Sequence, residues 1–163
     1  MYNATLMNSI KDKMLLAHET IAVAESVTSG QLQAALSMAE NASLFFQGGI
    51  TAYNLGQKCR HLNIDPVEAQ ECDCVSERVA VTMALEACRL FISNWGIGIT
   101  GYATPIPEQS VNELFAFYAI AYNGIIVLTK RITAKEKDAA AVQLFYAHCA
   151  LKDLEQLIET SVA

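Results

Sequence analysis

The sequence reads IAVAESVTSG from Ile21 to Gly30, and this stretch decides the fold. Its first half is a short apolar run that predicts a buried strand, and its second half is a run of small residues that ends in glycine. An amphipathic run over residues 32–38 follows and predicts a helix. A strand that turns into a helix in this way exposes backbone N–H groups at the helix start. The turn therefore predicts either a pocket for an anion or oxyanion, or simply a well-capped helix.

Helix and strand patterns alternate along the rest of the chain. Gly48-Gly49 predicts a bulge or the close approach of another backbone, and Asn123-Gly124 predicts a type I′ hairpin turn. Strand–helix alternation followed by one tight hairpin predicts a single α/β domain over residues 1–163, with a mixed, mostly parallel sheet and helices on both faces. The predicted helices cover residues 4–18, 29–39, 55–62, 76–92 and 135–159, and the predicted strands cover residues 21–25, 44–54, 95–100, 113–122 and 125–133.

Composition excludes several classes of protein. The chain has 163 residues, of which 53% are hydrophobic and 17% charged, so it is expected to fold around a sizeable core. A formal net charge of -6 and the lack of a long basic run argue against a nucleic-acid partner. No apolar run approaches the roughly 20 residues of a membrane-spanning helix. The first 16 residues lack the apolar core of a signal peptide, which predicts a cytoplasmic protein.

Five cysteines, an odd number, argue against a disulfide scaffold. Cys72 and Cys74 are closer together than the cysteines of a C-x-x-C motif, so they are expected to be reduced and free of metal. A zinc site made by this pair with Cys59 and His61 is the weaker alternative, because the spacing contains no recognised ligand pair.

Three polar segments follow predicted strands, namely residues 25–30, 53–58 and 100–107. Ligands of open α/β sheets bind beyond the carboxyl ends of parallel strands. We therefore expect these segments to form one site.

Four motifs, in this order, resemble those of one protein family. AESVTSG at residues 24–30 matches AES-C-T-GG, and GGITAYNLGQK at residues 48–58 matches GG-x-x-x-YS-N-x-x-K. VSERVAVTMA at residues 75–84 matches VSE-x-VA-x-x-MA, and TGYATPIP at residues 100–107 stands where the family has TG-x-AGP-x-G. Over residues 5–160 the chain thus resembles the C-terminal domain of the CinA family (competence/damage-inducible proteins), which includes nicotinamide mononucleotide deamidases.

The resemblance implies a three-layer α/β/α sandwich and hydrolysis of the carboxamide of nicotinamide mononucleotide, with no metal or cofactor. Ser26 would be the nucleophile, Lys58 its proton acceptor and Tyr53 a hydrogen-bonding partner. It also implies a homodimer, which agrees with the excess of apolar residues in the predicted hairpin. The substrate-binding set would be Glu25, Thr28, Ser29, Gly30, Thr100 and Gly101, with the N–H groups of Ser29 and Gly30 as donors to the substrate or its oxyanion.

Each catalytic residue also has a structural interpretation. Ser26 could cap the following helix, Lys58 could lie on a solvated helix face, and Tyr53 could pack on the sheet. Glu25 is more typical of a structural partner for nearby N–H groups than of a general base. The three histidines match no catalytic position of the family and are predicted to be surface residues: His18, His61 and His148.

The third motif departs most from the family pattern. Thr104 replaces a glycine, and Ile106-Pro107 replaces the flexible glycines that follow. Glycine loops expose N–H groups to phosphates, whereas proline has no N–H group to offer. The alternative function is therefore a catalytically weakened or inactive CinA-like domain that binds a different small ligand or a protein partner.

Overall fold

The computed structural model describes residues 2–109, 111–136 and 138–161. In that part of the chain, the helices are α1 (Ala4–Ala17), α2 (Gln31–Ser37), α3 (Leu55–Leu62), α4 (Pro66–Glu71), α5 (Glu77–Phe91) and α6 (Ala139–Ser161). The strands are β1 (Ile21–Glu25), β2 (Phe46–Thr51), β3 (Trp95–Gly101), β4 (Phe115–Tyr122) and β5 (Ile125–Thr133). Every helix and strand predicted from the sequence is present.

The strands form one sheet in the order β2-β1-β3-β4-β5. β1 pairs in parallel with both β2 and β3, whereas β4 is antiparallel to β3 and β5 is antiparallel to β4. β5 therefore runs in the same direction as β1, β2 and β3. The prediction of a mixed, mostly parallel sheet is confirmed.

Helices cover both faces of the sheet. Because successive side chains of β1 point to opposite faces, this strand contributes residues to both hydrophobic cores. Ile21 and Val23 belong to the core beneath α1, α2 and α6, together with the buried Trp95 of β3. Ala22 and Ala24 belong to the opposite core, which α3, α4 and α5 cover. β1 is buried on both sides, as its continuous apolar sequence requires. The three-layer arrangement is confirmed.

The structure differs from the sequence prediction mainly at element ends. α2 begins only at Gln31, because Ser29 and Gly30 adopt left-handed conformations with φ of 49° and 98°. α6 begins at Ala139 rather than at residue 135. α4 is an additional helix, and its signal was present in the sequence: Asp65 accepts hydrogen bonds from two N–H groups of the first turn, and a proline follows it.

The structure shows both features that Gly48-Gly49 predicts, a bulge in β2 and the close approach of another backbone. The register between β1 and β2 shifts next to Ile21, where β2 contains one extra residue. At Gly49 a Cβ atom would lie 2.6 Å from Cγ2 of Val23, so β1 and the side chains of α2 leave no room for it. Gly48 has φ of 126°, a conformation that glycine adopts readily.

The last two strands form the predicted hairpin. Tyr122 and Ile125 are paired, and the two residues between them, Asn123 and Gly124, have φ of 48° and 76°. Positive φ at both positions is the requirement of a type I′ turn. Among the described residues, no helix combines the length and apolar character that crossing a membrane requires.

Candidate functional site

The carboxyl ends of β1, β2 and β3 meet at one edge of the sheet, where a cavity of about 380 Å³ opens. All three segments that were expected to meet there contribute to its wall, as do the turn before α5 and the first turns of α6. The polar side chains among its lining residues include Ser26, Tyr53, Lys58, Asp73, Tyr102 and Gln143.

Glu25, at the end of β1, holds the turn that follows. Its carboxylate is fully buried, and Oε2 accepts hydrogen bonds from the Thr28 hydroxyl at 2.6 Å and from the N–H groups of Gly30 and Leu32 at 3.1 Å. Oε1 accepts from the N–H group of Gln33 at 2.9 Å. A negative charge is also favourable at the start of a helix. Glu25 thus acts as a structural partner of the turn.

Ser26 lies at the floor of the cavity with 5% of its surface exposed. Its N–H group donates to the carbonyl of Ile99 at 3.1 Å, which ties the residue to β3. The N-cap position of α2 is Gly30, and the first free N–H groups of that helix bond to Glu25 instead. The interpretation of Ser26 as a helix cap is therefore wrong.

Lys58 is buried, with 4% of its surface exposed, although it belongs to a short helix rich in polar residues. Its Nζ donates to the carbonyl oxygen of Tyr53 at 3.3 Å. Burial lowers the pKa of the Lys58 amine, and the nearby Cys74 and Asp73 oppose that shift only in part. Lys58 is thus not a solvated residue, and it lines the same cavity as Ser26.

Tyr53 lies in the connection between β2 and α3, beyond the last residue of the strand, and is 69% exposed. It does not pack on the sheet as a strand residue would. Its side chain lines the mouth of the cavity, and its carbonyl is the hydrogen-bond partner of Lys58. The predicted pairing of lysine and tyrosine is therefore made through the backbone of Tyr53.

The predicted substrate-binding residues divide into those at the cavity and those beneath it. Gly101 lines the cavity, whereas Thr100 is buried and donates its hydroxyl to the carbonyl of Cys74 at 2.8 Å. Thr28 is buried on Glu25, as described above. The N–H groups of Ser29 and Gly30 donate within the turn, to the carbonyl of Ser26 and to Glu25 respectively, both at 3.1 Å. These two N–H groups are engaged before any substrate binds.

The loop after β3 is held by contacts at its rim. The Tyr102 hydroxyl donates to Oδ2 of Asp73 at 3.1 Å, and its N–H group donates to the carbonyl of Phe115 at 2.9 Å. Burial, with Asp73 beside it, raises the pKa of Tyr102 to about 12. Further along, Ile106 and Val111 exchange two backbone hydrogen bonds as an antiparallel bridge. The loop that replaces the family's glycine-rich loop is therefore braced.

Two side chains of the site were missed at the sequence level. Asp73 lies in the turn before α5, and its φ of 50° is unusual for a residue other than glycine. Gln143 reaches the cavity from α6, and its Nε2 donates at 3.4 Å to the hydroxyl of Ser29, which lies 114 positions earlier in the chain. No local sequence pattern marks either residue, since each is brought to the site by the packing of a distant element.

Among the histidines and cysteines, Cys74 lines the cavity and the others lie outside it. The three histidines are exposed, as predicted: His18, His61 and His148. All five cysteines are free thiols, and Cys72 donates to the carbonyl of Glu68 at 3.1 Å. Within the described residues, no group of three or more histidine, cysteine, aspartate and glutamate side chains is arranged to hold a metal ion.

Comparison with known proteins identifies relatives of this domain. A family model described as the CinA C-terminal domain matches residues 3–158. A CinA-like protein from Picosynechococcus sp. is 41% identical over 111 residues, which are 68% of this chain and 26% of that protein. A putative competence-damage inducible protein from Streptococcus agalactiae is 35% identical over 119 residues, or 73% of this chain and 28% of that protein. The chain thus spans about a quarter of the length of these curated relatives.

Solved structures share the fold. A CinA superfamily protein from Klebsiella pneumoniae superposes with a TM-score of 0.90 at 23% identity, covering 96% of this chain and 98% of that one, and shows the fold alone. One from Escherichia coli gives a TM-score of 0.87 at 26% identity, covering 94% of this chain and 89% of that one. Because the family model spans nearly the whole sequence and the architecture agrees, the chain belongs to the CinA family and corresponds to its C-terminal domain.

Proposed function

We propose that the chain is a CinA-like amidohydrolase that converts nicotinamide mononucleotide to nicotinate mononucleotide and ammonia. One observation carries the proposal: Lys58, a residue only 4% exposed, lines the same cavity as Ser26. Burial of an ammonium group is unfavourable, and lysine is almost never buried without a partner charge or a function. The substrate itself is inferred from the family resemblance.

The first half of the proposed reaction forms an ester on Ser26. The lowered pKa of Lys58 raises the fraction of neutral amine, which accepts the proton of the Ser26 hydroxyl as its oxygen attacks the carboxamide carbon. Lys58 then gives that proton to the departing nitrogen. The C–N bond breaks, and ammonia leaves.

The second half returns the enzyme to its starting state. A water molecule attacks the ester carbon while Lys58 accepts one of its protons. The bond between that carbon and the Ser26 oxygen breaks, and Lys58 returns the proton to Ser26. The other proton of the water stays on the carboxylic acid product, which releases it to solvent and leaves as a carboxylate. The proposal assigns no role to a metal or cofactor. We also propose that the enzyme acts in the cytoplasm, where its nucleotide substrate is found.

The test is ammonia release from nicotinamide mononucleotide by the purified protein. Ser26→Ala and Lys58→Met should each abolish release. Matched controls are Ser37→Ala and Lys152→Met, because both residues are exposed on helices away from the cavity. Equal loss of rate in the control variants, or full activity in Ser26→Ala, would refute the assigned roles.

The braced loop after β3 favours a second candidate, a CinA-like domain that binds another small ligand or a protein without catalysis. The hydrogen bonds of Tyr102 and Ile106 occupy N–H groups that a glycine-rich loop would offer to a phosphate. In that case nicotinamide mononucleotide would neither release ammonia nor raise the melting temperature. A ligand at a hundredfold excess over Kd stabilises by about 2.7 kcal/mol, so a thermal shift assay distinguishes the two candidates.

We also propose that the chain forms a homodimer. The edge strand β5 exposes Ile125 by 69% and Val127 by 40%, which is apolar surface that a second copy could cover. Light scattering at micromolar concentration tests this proposal, and a monomer mass would reject it.

A further inference from the structure

The proposed reaction needs N–H donors for the negative oxygen of its tetrahedral intermediate, and the donors expected from the sequence are engaged. The N–H groups of Ser29 and Gly30 donate within their own turn, and the N–H group of Ser26 donates to the carbonyl of Ile99. Other N–H groups of the cavity wall have no acceptor within the described part of the chain. They belong to Val27, Leu55, Ala103 and Thr104.

Val27 and Leu55 are the members of this set that border Ser26. Val27 follows Ser26 directly, is buried with it and lines the same cavity. Leu55 belongs to the segment after β2, where the N–H group of Ala52 donates at 2.9 Å to the carbonyl of Glu25, the residue before Ser26. The other members of the set lie in the loop after β3, on the far side of β1 from Leu55.

α3 presents an open helix start to the cavity. Leu55 is its first residue, and the side chain of the N-cap residue Asn54 accepts from the N–H group of Gln57 at 3.0 Å, which leaves the Leu55 N–H group free. The start of α2 differs, because the Glu25 carboxylate occupies its first N–H groups. A helix start carries a partial positive charge, so the start of α3 can stabilise a negative oxygen that forms beside it.

The Ser26 side chain supplies an independent sign that a ligand binds here. Ser26 is 5% exposed, and its hydroxyl makes no hydrogen bond to any residue that the structure describes. Buried hydroxyl groups are ordinarily hydrogen-bonded, so an unpaired one in a cavity wall indicates a place for a polar ligand. We propose that the N–H groups of Val27 and Leu55 form the oxyanion hole of this site. The inference rests on the proposed function, since it concerns the same reaction.

Leu55→Pro tests the inference, because it removes the N–H group at a position that accepts proline. Proline is favourable at the first position of a helix, and Asn54, with φ of -107° and ψ of 168°, has the extended conformation favoured before proline. The comparison is with Leu55→Ala, which keeps the N–H group. With nicotinamide mononucleotide as substrate, kcat for ammonia release should be about 100-fold lower in Leu55→Pro, with little change in KM.

A matched control and a second variant separate this effect from damage to the fold. Ala4→Pro should leave the rate unchanged, because Ala4 is the exposed first residue of α1, lies outside the cavity and also follows an asparagine N-cap. Replacement of Leu55 by the α-hydroxy acid of leucine exchanges the N–H group for an ester oxygen and keeps the side chain. It should lower kcat to a similar extent, and melting temperatures confirm that each variant is folded.

A second measurement does not depend on the nicotinamide substrate. A fluorophosphonate reacts with an activated serine: the Ser26 oxygen bonds to phosphorus, fluoride leaves, and Lys58 takes the hydroxyl proton. The phosphoryl oxygen then lies where the oxyanion would lie. Labelling of Ser26, followed by mass spectrometry, should therefore be about 100-fold slower in Leu55→Pro than in Leu55→Ala.

The outcomes distinguish the oxyanion hole from the proposed substrate. Equal kcat values and equal labelling rates in Leu55→Pro and Leu55→Ala would overturn the inference, as would an equal loss in Ala4→Pro or the absence of label on Ser26. Slower labelling in Leu55→Pro, without ammonia release by the unmodified protein, supports the oxyanion hole and rejects the nucleotide substrate. Ammonia release that Leu55→Pro leaves unaffected does the reverse.

Discussion

The turn after β1 and the loop after β3 border the same cavity but are stabilised in different ways. In the turn, the buried Glu25 carboxylate accepts hydrogen bonds from one hydroxyl and three N–H groups. In the loop, Tyr102 donates to Asp73 through its hydroxyl and accepts from the Tyr146 hydroxyl at 3.1 Å through its carbonyl. The turn after β1 is held by the carboxylate of Glu25 beneath it, whereas the loop after β3 is held by the side chains of Asp73 and Tyr146.

The difference lies in the sequence distance over which each region is stabilised. Glu25 bonds to residues 3 to 8 positions away, whereas the partners of Tyr102 named here are 13, 29 and 44 positions away, at Phe115, Asp73 and Tyr146. A motif that contains its own hydrogen-bond partners keeps its geometry when its surroundings change. A loop with distant partners depends also on the residues that contact it from other elements.

The largest effect on stability is expected for Glu25→Gln. An amide can accept at one position only and turns an NH2 group toward N–H donors, so the variant should lose about 3 kcal/mol. For a chain of this size the melting temperature should fall by about 10 °C. Glu40→Gln, at an exposed position, should change it little. A Glu25→Gln variant as stable as the unmodified protein would remove the contrast between the two regions.

The buried Lys58, which lies between the turn and the loop, should make stability depend on pH. Its pKa is lower in the folded protein than the ordinary value of 10.5, so the folded state binds fewer protons between those two values. The free energy of unfolding should therefore rise with pH across that window. Lys58→Met should abolish the rise and stabilise the protein most at pH values below the lowered pKa. Urea unfolding over a pH series measures both effects, and parallel curves for the two proteins would contradict the assignment.

Restoring glycines in the loop should strengthen binding of nicotinamide mononucleotide. Pro107→Gly adds one backbone N–H group, and glycine at positions 104 and 106 lets the loop turn its N–H groups toward a phosphate. One additional hydrogen bond of about 1 kcal/mol corresponds to about fivefold in affinity. Calorimetric titration of the unmodified and substituted proteins measures this change. Efficient deamidation by the unmodified protein would instead show that the braced loop already serves the nucleotide.

The smallest effect is expected for Tyr102→Phe. The hydroxyl bonds to an exposed carboxylate, so its removal should cost about 0.5 to 1 kcal/mol, well below the cost of Glu25→Gln. Tyr146→Phe removes the hydroxyl of a buried side chain that donates to the carbonyl of Tyr102, so it should cost more than Tyr102→Phe. If Tyr102→Phe lowers the melting temperature as much as Glu25→Gln, the rim contacts are as important as the buried charge.

The sequence by itself determined the order and type of the elements. The continuous apolar run of β1, the glycine pair in β2 and the Asn123-Gly124 turn are local signals, because strand patterns and positive φ depend on neighbouring residues. The role of Glu25 could also be anticipated, since its partners follow within two helical turns. The four motifs likewise predicted the family that the comparisons confirmed.

Only the tertiary structure decided which polar residues are buried and which meet at the cavity. Lys58 lies in a polar helical segment that predicts exposure, yet it is covered because the turn before α5 lies against it. Tyr53 follows a strand that ends earlier than its pattern suggested, so it lies in the connection to α3 and lines the cavity. Asp73 and Gln143 come from elements that carry no mark of a site. Whether a residue is buried depends on contacts from distant parts of the chain, and these contacts cannot be derived from the local sequence.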